Sequence, residues 1–341
     1  MQPICYYPTK VIIVDNPFGF LANLSIQLEP SLCCQVIKLP YLAFKAIEQV
    51  YTPTAIHENS SLLTQINAPK SVVHQIAQDE DNAITNWKIS MLHHEVYNPL
   101  RFNDISVVVV DFVMVGMDGV QFCKRIQDPS IKKIIVVPKV FEKLAMQAFN
   151  RGIIDCYLRR DDPNLVNLLE ENINILQRRY FVDISYQILK TFNQPFNSWL
   201  HEPKFASFFK HICNEYQIAE YYLTELSGSF LLLDADGHSK CFIVKSADDM
   251  RQLYQIAKRN HASLEILSHL QKCAKVPFYW QQGDPNELHW SDWDTCLYNV
   301  SPLYCENTYY TALINTPFAF DIQTTRIVSF NDYLLENYDS Y

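Results

Sequence analysis

An α/β first half, with five parallel strands covered by helices, followed by an α+β half containing an antiparallel meander, is the fold class the sequence predicts. Three observations lead to it. Short apolar runs alternate with helical segments from residue 10 to about residue 180. One run, "ISVVVVD" (residues 105–111), shows no polar–apolar alternation, as expected of a strand buried on both faces. After Pro195 the rhythm changes to closely spaced apolar runs broken by Ser-Gly and Asp-Gly turns.

The elements follow in order. "KVIIVDN" (10–16) reads as a strand ending in polar residues. "PFGFLANLSIQLEP" (17–30) sets Phe20, Leu21, Leu24 and Leu28 at helical spacing, with Pro17 in the first turn, where proline is tolerated. "CCQVIKL" is the second strand and "PYLAFKAIEQVY" the second helix. Residues 52–104 are polar and mixed, and predict a helical insertion or a loop. "ISVVVVD" resumes the rhythm. "GVQFCKRIQD" is helical, "KKIIVVP" a strand, "FEKLAMQAFNRG" a helix ended by Gly152, and "IIDCYLRR" the fifth strand. "DDPNLVNLLEENINILQRRYF" opens on Asp162 as a cap with Pro163 at the first helical position. Its apolar stripe is Leu165, Leu168, Leu169, Ile173 and Leu176. The helix can run on toward Pro195 as a lever between domains. The expected organisation is a first domain over 1–180 with an insertion at 52–104, a linker helix over 181–194, and an α+β domain over 195–341. In that second domain, "EPKFASFFKHICNEYQ" is a helix with an aromatic face. Residues 219–245 form the meander, and two helices follow before residue 275. Residues 275–341, rich in Tyr, Trp and Pro, give no clear assignment.

The totals bound the function. The chain has 341 residues, 48% hydrophobic and 19% charged, which suits a globular protein with sizeable cores. Only 7 glycines occur, so glycine-rich phosphate loops are nearly excluded on supply. The net charge is −9 with no block of Lys or Arg, which argues against a nucleic-acid partner. None of the 10 cysteines is spaced as CxxC, so reduced thiols are expected rather than a zinc site or disulfides. The first residues lack a signal peptide's apolar region, and no apolar run approaches the roughly 20 residues of a membrane span. A cytoplasmic protein without a membrane partner is expected.

In parallel sheets of this kind, functional residues gather at the carboxyl ends of the strands. Those ends carry Asp15-Asn16 (first), Asp111 (third), Pro138-Lys139 (fourth) and Arg159-Arg160 (fifth). Carboxylates from two strands facing a basic group from a third suit a divalent metal and a phosphoryl group.

At these residues the chain resembles the CheY-like receiver domain of bacterial two-component response regulators, a flavodoxin-like fold. "VIIVDN" matches the family's acidic motif after the first strand. "VVVVDFVMVGMDG" matches its phosphoacceptor motif, with Asp111 in the acceptor position and Met114, Met117 and Gly119 in register. "VQFCKRI" and "AFNRGIIDCYL" also look like receiver sequence, and the resemblance covers residues 10–180 apart from the insertion. It implies magnesium held by Asp15, Asn16, Asp111 and the Val113 carbonyl, a sensor histidine kinase as phosphodonor, and a homodimer through the fourth and fifth receiver helices. The departures are specific. Asn16 stands where the family has a second acid. Val115 replaces a proline. Pro138 stands at the switch hydroxyl and has neither O–H nor N–H. The family's lysine is replaced by Arg160, or by Arg159 if the register slips; Arg160 places Tyr157 at the switch aromatic. Either Asp111 is phosphorylated, or the chain is a pseudo-receiver in which Asp111 pairs with Arg160 constitutively.

The second domain shows no recognition helix, P-loop or cyclic-dinucleotide signature. "LLLDADGHSK" lacks the length and terminal Glu of an EF-hand and reads as an Asp-Gly turn. "HHEV" (93–96) lacks zinc-ligand spacing, and "ELHWSDWD" (287–294) reads as a surface loop anchored by tryptophans. A non-enzymatic output acting on a protein partner is expected. The alternative is a ligand-sensing or enzymatic activity in residues 195–341. The arrangement also resembles regulators attached to small-molecule quorum-sensing kinases in some intracellular bacteria.

Overall fold

Runs of Val and Ile build the first sheet. The computed structural model describes residues 1–15, 19–51, 92, 94–190, 198–225, 228–278, 296–315 and 326–337. The chain divides into two units, one of Tyr7–Ala68, Asn98–Ile188 and Phe330–Tyr341, the other of Met1–Tyr6, Pro69–Tyr97 and Leu189–Ser329. Strand β1 (Cys5–Tyr6) belongs to the second of these. The first unit holds β2 (Lys10–Val14), β3 (Cys34–Ile37), β4 (Ile105–Asp111), β5 (Lys132–Val137) and β6 (Cys156–Arg159). They form a parallel sheet in the order β3-β2-β4-β5-β6, the flavodoxin-like order that the receiver resemblance implies.

Every residue of β4 is buried. Side chains alternate between faces with period two. Val108 and Val110, with Ile12, Val14, Ile135 and Val137, face one core. Val107 and Val109, with Val11, Ile13, Ile134 and Val136, face the other. The first core is closed by α2 (Pro40–Tyr51), α3 (Gly119–Arg125) and α4 (Glu142–Asn150), through residues such as Ala43, Phe122 and Ala145. The second is closed by α1 (Phe20–Ser25) and α5 (Leu165–Lys190), through Leu21, Leu24, Leu169 and Ile173. A strand apolar on both faces is thus explained by helices on both faces.

Two helices differ from their sequence expectation. α1 stops at Ser25, whose hydroxyl donates to the Ala22 carbonyl at 2.8 Å and competes with the helix ladder. Pro30 then opens a 3-10 turn, Pro30–Leu32. α5 begins at Leu165 rather than Pro163, because the Asp162 carboxylate accepts from the Asn164 N–H at 2.9 Å and closes a turn first. α5 extends to Lys190; residues 191–197 lie outside the described residues. Most of the 52–104 insertion, residues 52–91 and 93, also lies outside them. So do Pro17, His93 and the whole of 287–294. The last helix, α9 (Phe330–Glu336), packs in this first unit: Phe330 and Tyr333 lie 5.3 and 5.1 Å from the Phe102 ring.

Asp104, at the start of β4, is buried beside Tyr7, whose hydroxyl donates to it at 2.7 Å. Burial pushes its carboxyl up to about 6, and the Tyr7 bond pulls the other way. A raised carboxyl disfavours the folded state once ionised, so stability is gained as pH falls through about 6 toward the unfolded value near 3.8. Asp104→Asn keeps an acceptor for Tyr7 and removes the charge. We expect it to stabilise this unit at pH 7.5 by roughly 2 kcal/mol and by less than half of that at pH 4.5, read in denaturant melts at both pH values.

The second unit carries an antiparallel sheet in the order β1-β7-β8-β9-β13-β12. The meander is β7 (Ile218–Leu223), β8 (Phe230–Asp234) and β9 (Ser239–Ser246). β10 (Lys275–Pro277) and β11 (Leu297–Asn299) form a separate pair, and β12 (Ser301–Tyr304) and β13 (Thr308–Ile314) extend the sheet. α6 (Pro203–Glu215) packs Phe205 and Phe209 against Trp199, Tyr221, Phe230 and Phe242. α7 (Ala247–Arg259) and α8 (Leu264–Gln271) cover Cys241 and Ile243, which point to the opposite face from Phe242. At the Asp-Gly turn, Asp234 Oδ1 accepts from the Asp236 and His238 N–H groups at 3.0 and 2.9 Å, with Gly237 at φ +81°. Asp234, Asp236 and His238 draw close there as parts of the turn itself. Among the described residues, no helix is long and apolar enough to cross a membrane.

Candidate functional site

Strand register places the acids. β2 and β4 pair with Val14 opposite Val110, so Asp15 and Asp111 end adjacent strands side by side. Both are fully buried. Adjacent strands lie about 4.8 Å apart, so two neighbouring carboxylates need compensation by donors or positive charge. Asp15 Oδ2 accepts from the Ala22 N–H at 2.8 Å, in the first turn of α1, where backbone donors lack helical partners. Asp111 Oδ1 accepts from the Val113 N–H at 3.1 Å. Asp111 Oδ2 accepts from Arg160 Nη2 in an ion pair.

Arg160 follows β6 and reaches across the end of β5. Its backbone N–H donates to the Val137 carbonyl at 2.9 Å, which fixes its start point. Its guanidinium carbon lies 4.2 Å from the centre of the Phe20 ring. Arg159 instead makes a fork to Asp161 at 3.1 and 2.9 Å on the surface. Of the two arginines, Arg160 is the one that meets Asp111.

The loop after Asp111 is held by its own sequence. Met114 and Met117 pack on the core, Val113 bridges to Asp118, and the Asp118 carboxylate caps α3 by accepting from the Gln121 N–H at 2.7 Å. Val115 and Gly116 form the exposed tip, with Gly116 at φ +84°. Gly119 is required by proximity: a Cβ there would lie 2.8 Å from the Asp111 carbonyl oxygen and 3.1 Å from Phe112 Cα. At the end of β5, Pro138 offers a carbonyl to the Phe141 N–H at 2.9 Å, and its side chain offers no donor. Phe141 stacks on Phe112 with centres 4.8 Å apart. Tyr157 is half-buried against the first core, edge-on to Phe149 at 6.2 Å.

The structure therefore brings Asp15, Asp111 and Arg160 together at the carboxyl edge of the sheet. Asn16 lies outside the described residues. Asp15, Asp111 and the Val113 carbonyl are hard oxygen donors of the kind magnesium takes. A carboxylate oxygen keeps acceptor capacity beyond one hydrogen bond, so this donor set fits a hard divalent cation. Phe20 and the Ala22 N–H were not singled out by sequence motifs. The available signal was their place in the first turn of α1.

Comparison with known proteins agrees with this geometry. No protein-family model matches the chain, and no curated protein sequence matches it. Among solved structures, it is similar to the Legionella pneumophila response regulator LqsR, with 34% identity and a TM-score of 0.81, covering 98% of this chain and 95% of that one. A response regulator receiver domain protein from Clostridium thermocellum aligns over 51% of this chain, 98% of its own, with 15% identity and a TM-score of 0.32. An adenylate cyclase from Rhodopirellula baltica aligns over 54% of this chain, 98% of its own, with 16% identity and a TM-score of 0.35. At those scores neither of the last two bears on function. The near-complete match to LqsR, together with the parallel sheet that ends on Asp15 and Asp111, shows that the chain belongs to the response-regulator family, a CheY-like receiver fused to a second unit.

Proposed function

We propose that the chain is a phosphorelay response regulator in which Asp111 accepts a phosphoryl group from the phosphohistidine of a sensor kinase. The observation that carries this reading is the Asp111 carboxylate at the end of the central strand, beside Asp15 and bonded to Arg160. An Asp111 oxygen attacks phosphorus as the P–N bond of the donor breaks. The P–O bond forms, and the departing imidazole keeps the electron pair and takes a proton from water. Asp15, Asp111 and the Val113 carbonyl, together with Asn16, the next residue in sequence after Asp15, would hold magnesium, which supplies positive charge to the phosphoryl oxygens. Asn16 in place of an acid keeps an oxygen ligand and lowers affinity. Phosphorylation adds about −1.5 to −2 charge, which draws Arg160 from the carboxylate onto the phosphoryl oxygens.

The output is protein contact rather than DNA binding, in the cytoplasm, with the second unit engaging the partner. The dimer forms through α4 and α5. Val140, Phe141, Leu144, Met146 and Phe149 expose apolar side chains around α4, the kind of surface an interface core uses. A second reading has its own observation. The existing Asp111–Arg160 pair and the donorless Pro138 suit a pseudo-receiver that docks partners without phosphorylation.

Acetyl phosphate with magnesium, read by intact mass and light scattering, separates the two. The phosphoacceptor reading expects one phosphoryl group per chain and a shift from monomer to dimer. An unlabelled chain that still binds its partner supports the second reading.

A further inference from the structure

We propose that Arg160, held in place by Phe20, supplies both the charge of the missing family lysine and the hydrogen bond of the missing hydroxyl at position 138; this rests on Asp111 being the phosphoacceptor. A guanidinium presents five N–H donors in a rigid plane, and its Nε–H and one Nη2–H form a parallel fork that matches two oxygens. In Arg160 one prong of that fork, Nη2, is on Asp111. The other, Nε, is buried and has no hydrogen-bond partner among the described residues. A buried donor left unmade is costly, so an empty prong beside the acceptor carboxylate is not a neutral feature.

The empty prong lies on the same edge of the guanidinium as the Nη2 that holds Asp111, so oxygens added to that carboxylate would arrive beside it. Asp111 carries two oxygens before phosphorylation and gains three phosphoryl oxygens after it. Arg160 then moves from one acceptor to two, with both prongs filled. Pro138 cannot contribute, because its side chain has no donor and its ring nitrogen no hydrogen.

Phe20 sets the plane. Its ring lies under the guanidinium, with the carbon at 4.2 Å, and it is itself anchored on the second core with Leu21 and Leu24. Gly19 turns the chain into α1 at φ +69°, a left-handed conformation that glycine adopts without strain, and so presents Phe20. A lysine would gain less from such a platform, since its ammonium is a point charge with no plane to stack. Phe20 is a positioning residue acting through Arg160.

The test is acetyl-phosphate labelling of the full chain with magnesium, following rate and acyl-phosphate lifetime by intact mass. Phe20→Leu should slow labelling about fivefold, the loss expected of a part-exposed cation–π contact, and Phe20→Tyr should restore it. Arg160→Lys should slow labelling by a similar factor. Pro138→Thr should recover most of that loss in the Arg160→Lys background and change the wild-type rate little. The inference is overturned if Phe20→Leu labels like wild type, or if Pro138→Thr has the same effect in both backgrounds. Should Phe20→Leu fail to fold, the Arg160 and Pro138 cycle still decides. Asp111→Asn keeps the two ideas apart. A labelled wild type with an unlabelled Asp111→Asn preserves the phosphoacceptor reading whatever Phe20 does. An unlabelled wild type, or equal labelling of Asp111→Asn, removes both.

Discussion

Asp111→Asn should be folded and unlabelled by acetyl phosphate. The amide is nearly isosteric and can still accept from the Val113 N–H through its oxygen. What it loses is the nucleophile, because an amide oxygen does not form the acyl phosphate. It also loses the ion pair with Arg160, whose side chain is 29% exposed and can turn to water. Against that loss stands a relief: Asp15 and Asp111 are two fully buried carboxylates on adjacent strand ends, and one charge fewer there is favourable. The two effects oppose each other, so we expect stability within about 1 kcal/mol of wild type and labelling reduced to background. A denaturant melt beside the mass measurement checks both halves. If Asp111→Asn is labelled as fast as wild type, the acceptor lies elsewhere.

Gly119→Ala should be the most damaging small substitution in the first unit. In an ordinary helix this change gains up to about 1 kcal/mol, since glycine is the poorer helix former. Here the added Cβ would sit 2.8 Å from the Asp111 carbonyl oxygen and 3.1 Å from Phe112 Cα, both backbone atoms of a strand packed on two faces. The strand end cannot yield without moving the Asp111 carboxylate. We expect a net loss of about 2 kcal/mol, with slower labelling alongside it. Unchanged or raised stability would mean that the loop gives way instead of the strand.

How far the sequence reaches depends on whether a signal is local. The parallel sheet was legible because strands buried on both faces carry continuous Val and Ile, as at Val107–Val110. Asp111 was legible because a charge ending such a run stands out, and Asp118 and Gly119 follow it at fixed offsets. The meander was legible from its turn glycines. β12 and β13 were not, because "SPLY" and "TYYTALI" mix Tyr, Thr and Pro without clean alternation; β13 is fixed by pairing with β9, and β12 by pairing with β13. Nor was β1, two residues long, which gains its state only by pairing with β7. The stacking of Arg160 on Phe20 joins residues far apart in sequence and has no motif of its own. The site's acids are thus local facts, while their compensation is a tertiary one.

The most direct test of the central claim is to locate the phosphoryl group. Acyl phosphates are reduced by borohydride, so a phosphorylated Asp is converted to homoserine while an unmodified Asp is left alone. The chain would be labelled with acetyl phosphate and magnesium, reduced, digested and sequenced by mass spectrometry. The proposed function predicts homoserine at position 111 and nowhere else. Homoserine at position 15 or another acid, or none anywhere in a chain whose phosphodonor was consumed, would contradict it.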